Sequence, residues 1–119
     1  MKNYLQPGHV LTVAAAAAAV ASGQVCVVGT HIGIAASSAA QGDPYEVNLT
    51  GVYTVPKTTG AAWTQGQPLM WDASTATFAA VGTPATGDIT AAGITAFVAA
   101  GSAAATGAVR FSGVPGTLT

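Results

Sequence analysis

The chain has 119 residues, of which 6% are charged, and a formal net charge of -1, where a soluble domain ordinarily carries roughly 25% charged residues. Lys2, Lys57 and Arg110 are its only strong cations, too few to neutralise a run of phosphates or to hold an anionic membrane surface, which argues against both as partners. Cys26 is the single cysteine, so no intrachain disulfide forms, and its place between Val25 and Val27 suits a small buried apolar residue.

Residues 1–9 (MKNYLQPGH) read as an extended N-terminal arm, because Pro7 and Gly8 break any helix and the apolar content is too low for a core element. Tyr4 and Leu5 are then free to dock on a neighbouring subunit. Residues 10–119 form a single β domain. Its first stretch, Val10 to Ala21 (VLTVAAAAAAVA), has four readings. One is a secretory signal peptide ending in Ala-Val-Ala before Ser22, although Pro7, Gly8 and His9 separate Lys2 from the apolar run. A membrane span requires about 20 strongly apolar residues, and Thr12, Ser22, Gly23 and Gln24 interrupt this one. An alanine helix would lack both an N-cap and an amphipathic stripe. The preferred reading is a strand from Val10 to about Ala14 that runs into a close-packed alanine segment before the Ser22-Gly23 turn.

Val25 to Val28 and Ile32 to Ala36 pair by spacing as a hairpin around Gly29-Thr30. Gly33 within the second strand marks a bulge or a close neighbour. After a turn-rich connection through Gly42-Asp43-Pro44, residues Tyr45 to Leu49 alternate, with Tyr45, Val47 and Leu49 on one face. Thr50-Gly51 turns the chain into a strand from Val52 to Val55, closed by Pro56. Thr58 to Gln67 is a loop carrying Trp63. Pro68 to Trp71 and Thr77 to Val81 form a second hairpin across Asp72-Ala73-Ser74-Thr75. Gly82 to Gly87 is a loop. Ile94 to Ala99 is a strand with Phe97 and Val98 as its bulky members. Ala108 to Phe111 is the last strand, and Ser112 to Thr119 is a Gly/Pro tail. Val47 to Val52 and Val109 to Val114 echo one another in pattern, as in a pseudo-symmetric roll. Many short strands with turn signals between them predict an all-β sandwich, roll or small barrel.

Chemistry is hard to find in this chain. The only Lys-Thr pair, Lys57-Thr58, follows Val55-Pro56 and lacks the glycine loop that cradles phosphates. His9 and His31 have no second ligand at metal spacing. Asp43, Asp72 and Asp88 occupy typical turn positions. No Gly-x-Ser-x-Gly elbow is present. The sequence thus offers no catalytic, cofactor-binding or metal-binding set, and the expectation is a binding protein rather than an enzyme. Of the two tryptophans, Trp71 lies on a strand and reads as core. Trp63, in a small-residue loop, is the better interface candidate.

Several stretches taken together resemble a known family: Asn3-Tyr4-Leu5-Gln6-Pro7-Gly8, Ser22-Gly23-Gln24-Val25 with Val28-Gly29, Ile32-Gly33-Ile34-Ala35, and Gly42-Asp43. Gly51-Val52-Tyr53 with Val55-Pro56-Lys57, Trp63 with Gly66, Trp71-Asp72, and Thr106-Gly107-Ala108-Val109-Arg110-Phe111 continue the series. In order and spacing they look like the small phage and prophage proteins of the DUF2190 type, described as capsid cement or decoration proteins. One departure stands at Ile94-Thr95-Ala96-Phe97, where the family pattern resembles Ile-Gly-Val-Ala.

The resemblance implies a β-rich structural protein, a small antiparallel β-roll or barrel of the β-tulip kind, made in the bacterial host cytoplasm. It would sit on the outside of a tailed-phage head, bind the major capsid protein, assemble as homotrimers at three-fold positions and reinforce the shell. Tyr4, Leu5, Pro7 and His9 of the arm, Trp63, and Thr83 and Pro84 are the expected contacts with shell or neighbouring subunit. The alternative is a secreted alanine-rich β protein whose first 21 or so residues are a signal peptide. A small hydrolase is a third reading.

Overall fold

The structure, a computed structural model, describes residues 8–119; the expected contacts at Tyr4, Leu5 and Pro7 lie outside them. Eleven strands form three antiparallel sheets and no helix is present among the described residues. In chain order the strands are β1 (Val10–Val13), β2 (Val25–Val28), β3 (His31–Ala35), β4 (Tyr45–Asn48), β5 (Thr50–Pro56), β6 (Leu69–Asp72), β7 (Thr77–Ala80), β8 (Ile89–Thr90), β9 (Thr95–Ala96), β10 (Thr106–Ser112) and β11 (Thr117–Leu118). The first sheet has the order β1-β4-β3-β2, the second β5-β10-β9 and the third β11-β8-β6-β7. The all-β class expected from the sequence holds. The sheets stay open, however, and do not close into a barrel, because β5 leaves the first sheet at Leu49 to pair with β10 instead.

Local chemistry accounts for the hairpins. Val28 pairs with His31 across Gly29-Thr30, and Gly29 at φ +62 supplies the first corner of a II′-type turn, whose twist matches the flanking strands. The β6–β7 turn is held by Asp72, whose Oδ1 accepts from Ser74 N at 3.1 Å and Ser74 Oγ at 2.7 Å. Gly33 is a close-approach position: a Cβ there would fall on the carbonyl oxygen of Asn48 and lie 2.7 Å from Val47 Cγ1. That is how β3 and β4 come together.

Alternation along the strands sorts side chains into two cores. The larger unites all three sheets through Ile32 and Ile34, Val55, Val109 and Phe111, and Leu69, Trp71, Phe78 and Ile89. A file of rings crosses it: Trp71 to Phe78 at 5.0 Å, Phe78 to Phe111 at 5.6 Å and Phe111 to Tyr53 at 5.7 Å between centroids, the last two edge-to-face. Such pairs add about 0.5–1.5 kcal/mol each beyond the area they bury. The file joins the third sheet to the second. The smaller core lies on the opposite face of the first sheet, around Cys26, Ala35, Val47 and Leu49.

The alanine segment leads into that smaller core at Val20. Val10–Val13 is a strand, as expected, paired residue for residue with β4. Beyond it, Ala16 is buried; its N–H donates to the Asp43 carbonyl and its own carbonyl accepts from Gly42 N. Val20 and Ala39 exchange both backbone bonds, at 2.8 and 2.9 Å. The run thus passes beside Cys26 as an extended, partial cover, with residues 17–20 and Cys26 lining one pocket. No helix of the described residues is long and apolar enough to cross a membrane.

Three expectations are corrected. Thr50-Gly51 is part of β5 and not a turn, because Ser112 and Phe111 of β10 extend the ladder to both residues; Gly51 takes φ +122 beneath the Tyr53 ring. The strand expected at Ile94 to Ala99 shrinks to Thr95–Ala96, because Phe97 and Val98 swing outward while Ala100 returns to pair with Trp63. The Gly/Pro tail contains β11, which pairs with β8. Of the echoing stretches, Val47 to Val52 passes from the end of β4 into β5 and so crosses between two sheets, whereas Val109 to Val114 continues β10 beyond its end.

Candidate interaction surface

The second sheet turns one face to the core and leaves the other open. Tyr53 and Val55 of β5, Val109 and Phe111 of β10, and Ala96 of β9 point inward. Their alternates point out and fall into rows across the register. Val52, Arg110 and Thr95 form one row, Thr54 and Ala108 the next, and Pro56 and Thr106 a third. Phe97 continues the middle row, since its N–H donates to the Ala108 carbonyl at 3.0 Å. Val52 is 45% and Phe97 47% exposed. Arg110 is the only charged residue on the face. A sheet face that exposes a phenyl ring and carries a single charge, Arg110, has the make-up of a protein–protein contact core.

Trp63 supports this face from below. The sequence singled it out as a surface anchor, but the structure places it in the core at 3% exposure. Its ring lies against Gly107, where a Cβ would collide with Cζ2. Its Nε1 donates to the Val98 carbonyl at 3.1 Å, and its backbone exchanges two bonds with Ala100. Gln65 Nε2 donates to the Phe97 carbonyl at 3.2 Å. The outward bend at Phe97-Val98 is therefore fixed by the Trp63 loop. The one sequence signal for it was the departure from the family pattern at Phe97. Trp71 is buried, as read from its strand.

Two ionisable groups that looked like ordinary turn or flank residues are buried. Lys57, 2% exposed, lies over the Trp63 ring with Nζ 5.4 Å from the centroid and donates to the carbonyls of Thr58 and Ala61. Asp88, also 2% exposed, accepts from Ala73 N at 3.0 Å through Oδ1 and from Ala85 N at 2.9 Å through Oδ2. Its own backbone and that of Gly87 bond to Thr119, so the carboxylate fastens the β6–β7 turn, the 82–87 loop and the C-terminal strand together. Both residues are structural clasps with their bonding atoms turned inward.

The remaining expected contacts are scattered. His9 is exposed at the foot of the arm, with its carbonyl accepting from Leu49 N at 2.9 Å. Thr83 is exposed and Pro84 half-buried in the loop after β7. No element brings these together with Phe97. Cys26 sits under the alanine cover, where burial pushes its thiol up and the Tyr45 hydroxyl partly offsets this. A cleft of about 500 Å³ between Leu69, Val81 and residues 91–95 is lined mostly by apolar groups. Among the described residues no group of three or more His, Cys, Asp or Glu side chains is placed to hold a metal ion.

A face with a single charge on an all-β scaffold agrees with the resemblance drawn from the sequence, and comparison with known families decides the matter. Residues 5–111 match the family described as phage cement protein. The chain belongs to that family. Membership gives this cement protein a capsid cement or decoration role, association with the phage capsid and a place in the virion. The secreted reading is not favoured. Among curated proteins the cement protein has no match.

Proposed function

We propose that this cement protein sits on the outer surface of a tailed-phage head, binds the major capsid protein as a homotrimer and stabilises the shell by binding rather than by catalysis. The family match over residues 5–111 carries the reading, and the charge-poor surface supports it. A protein with 6% charged residues lacks the mixed surface charge that keeps a monomer apart from its neighbours. Buried against symmetric partners, the same surface becomes an asset. Linked copies also hold through contacts too weak to hold singly. In this reading Tyr4, Leu5, Pro7 and His9 reach from the arm, and Thr83 and Pro84 from the 82–87 loop, to shell or neighbour. Trp63 acts indirectly, by holding Phe97 and Val98 outward.

The test is quantitative peptide mass spectrometry on purified phage particles, with limited proteolysis of intact heads to report the exposed side. Peptides from the start of the chain, in stoichiometry comparable to the major shell protein and cleaved on intact heads, are the expected result. Absence from particles, with protein found outside cells beginning near Ser22, would overturn the reading in favour of secretion.

A further inference from the structure

Among the described residues, few charges are exposed and without a side-chain partner. Lys57 and Asp88 are buried, and Asp72 is engaged by Ser74. That leaves Arg110 on the open face of the second sheet, and Asp43 and Glu46 on the run into β4 of the first sheet, all three exposed. None of these three side chains makes a hydrogen bond or ion pair with another described residue. Among the described residues Arg110, the one exposed Lys or Arg, thus stands on the second sheet and the two carboxylates on or just before β4 of the first, with Arg110 set among Val52, Ala108 and Phe97.

We propose that the open face of the second sheet docks a second copy of this chain, head to tail, with Arg110 of one copy paired to the Asp43 and Glu46 carboxylates of the next. Charge complementarity argues for the occupant, because the chain itself carries the matching anions. Because the two patches differ, the contact is heterologous, and repeated from copy to copy it closes into a ring when the rotation allows. Apolar contact around Phe97 supplies the buried area, and the ion pair sets orientation. The inference adds the contact surfaces to the oligomer proposed above. It rests on that reading only for the number of copies in the ring.

Sedimentation velocity on the purified full-length protein, without phage shells, tests it. Wild type associates in a concentration-dependent manner, and less so as salt is raised. Arg110→Glu, the pair Asp43→Lys with Glu46→Lys, and Phe97→Ser each sediment as monomers, while near-ultraviolet circular dichroism confirms that they are folded. Arg110→Glu combined with Asp43→Lys and Glu46→Lys associates again. A wild type that stays monomeric at every soluble concentration overturns the proposal. So does association of Arg110→Glu or Phe97→Ser equal to wild type, or a combined variant that stays monomeric. None of these results bears on whether the protein binds heads, which the particle experiment measures separately.

Discussion

Asp88→Asn isolates the clasp at the third sheet, because asparagine keeps the shape of the side chain and changes only what it can accept. The carboxylate takes one N–H on each oxygen, from Ala73 and Ala85, at 2% exposure. Asparagine has a single acceptor oxygen, and either orientation turns its NH₂ toward a backbone N–H. One charge-assisted bond is lost, about 1.5–3 kcal/mol, and one buried donor is left without a partner, about 1–3 kcal/mol more. Removing a buried charge returns part of that. The net loss is about 2–4 kcal/mol, and unfolding entropy of about 2.1 cal/mol/K per residue turns it into a fall in Tm of about 8–16 °C for a chain of this length. Differential scanning calorimetry measures it, with Asp88→Ala, which orphans both N–H groups, expected to fall at least as far. A Tm for Asp88→Asn within about 4 °C of wild type, the equivalent of about 1 kcal/mol, would refute the reasoning.

The other predictions are independent of that clasp. Gly107→Ala drives a Cβ into a Trp63 ring held by Val98 and Lys57 and should cost about 1–3 kcal/mol by overpacking; an unchanged urea midpoint contradicts it. The Ser74 hydroxyl, with the backbone N–H groups of Ser74 and Thr75, holds the Asp72 carboxyl below its ordinary range against a smaller opposing effect of burial. This contribution is present above the unfolded-state carboxylate range and disappears as pH falls through the folded value. Asp72→Ala should therefore lose less stability on acidification than wild type does. Cys26, its thiol pushed up by burial, should resist iodoacetamide at neutral pH and react once the chain is unfolded in urea; rapid native labelling counts against the alanine cover. Deleting residues 1 to 8 should weaken attachment to expanded heads in a pelleting assay while leaving Tm within a few degrees, and undiminished binding removes the arm from the contact set.

Strands with their own pattern were legible in the sequence. β3 and β4 alternate, the Gly29-Thr30 turn sets β2 against β3, and an Asx turn joins β6 to β7, so local chemistry alone located them. β8 and β11 are two residues each and exist because Ile89 finds Trp71 and Leu118 finds Ile89. No local pattern announces a partner that far along the chain. The same holds for Lys57 and Asp88. Each sits in a context where charged residues are usually solvated, and only tertiary packing around Trp63 or Thr119 buries it. Phe97 misled in the opposite direction. Its bulk suits a strand running on to Ala99, but the loop bonds to Trp63 and Gln65 fix the bend that turns it outward. The candidate surface was thus legible at its strands and hidden at its centre.

The pairing of β10 with β5 sets a timetable for synthesis. β10 is the inner strand of the second sheet, yet it lies near the end of the chain, and its partners run from Pro56 opposite Thr106 to Thr50 opposite Ser112. β5 emerges from the ribosome long before the strand that covers its edge. Until then Val55 and Tyr53 have no sheet beside them, and the Trp71–Phe78 half of the ring file has no Phe111 to meet. β11 and the Thr119 bonds come later still. Pairings this distant are slow to form and leave bare strand edges meanwhile. The second sheet therefore cannot form until β10 arrives, and in the interval before it the open edge of β5 is the feature a chaperone would have to shield.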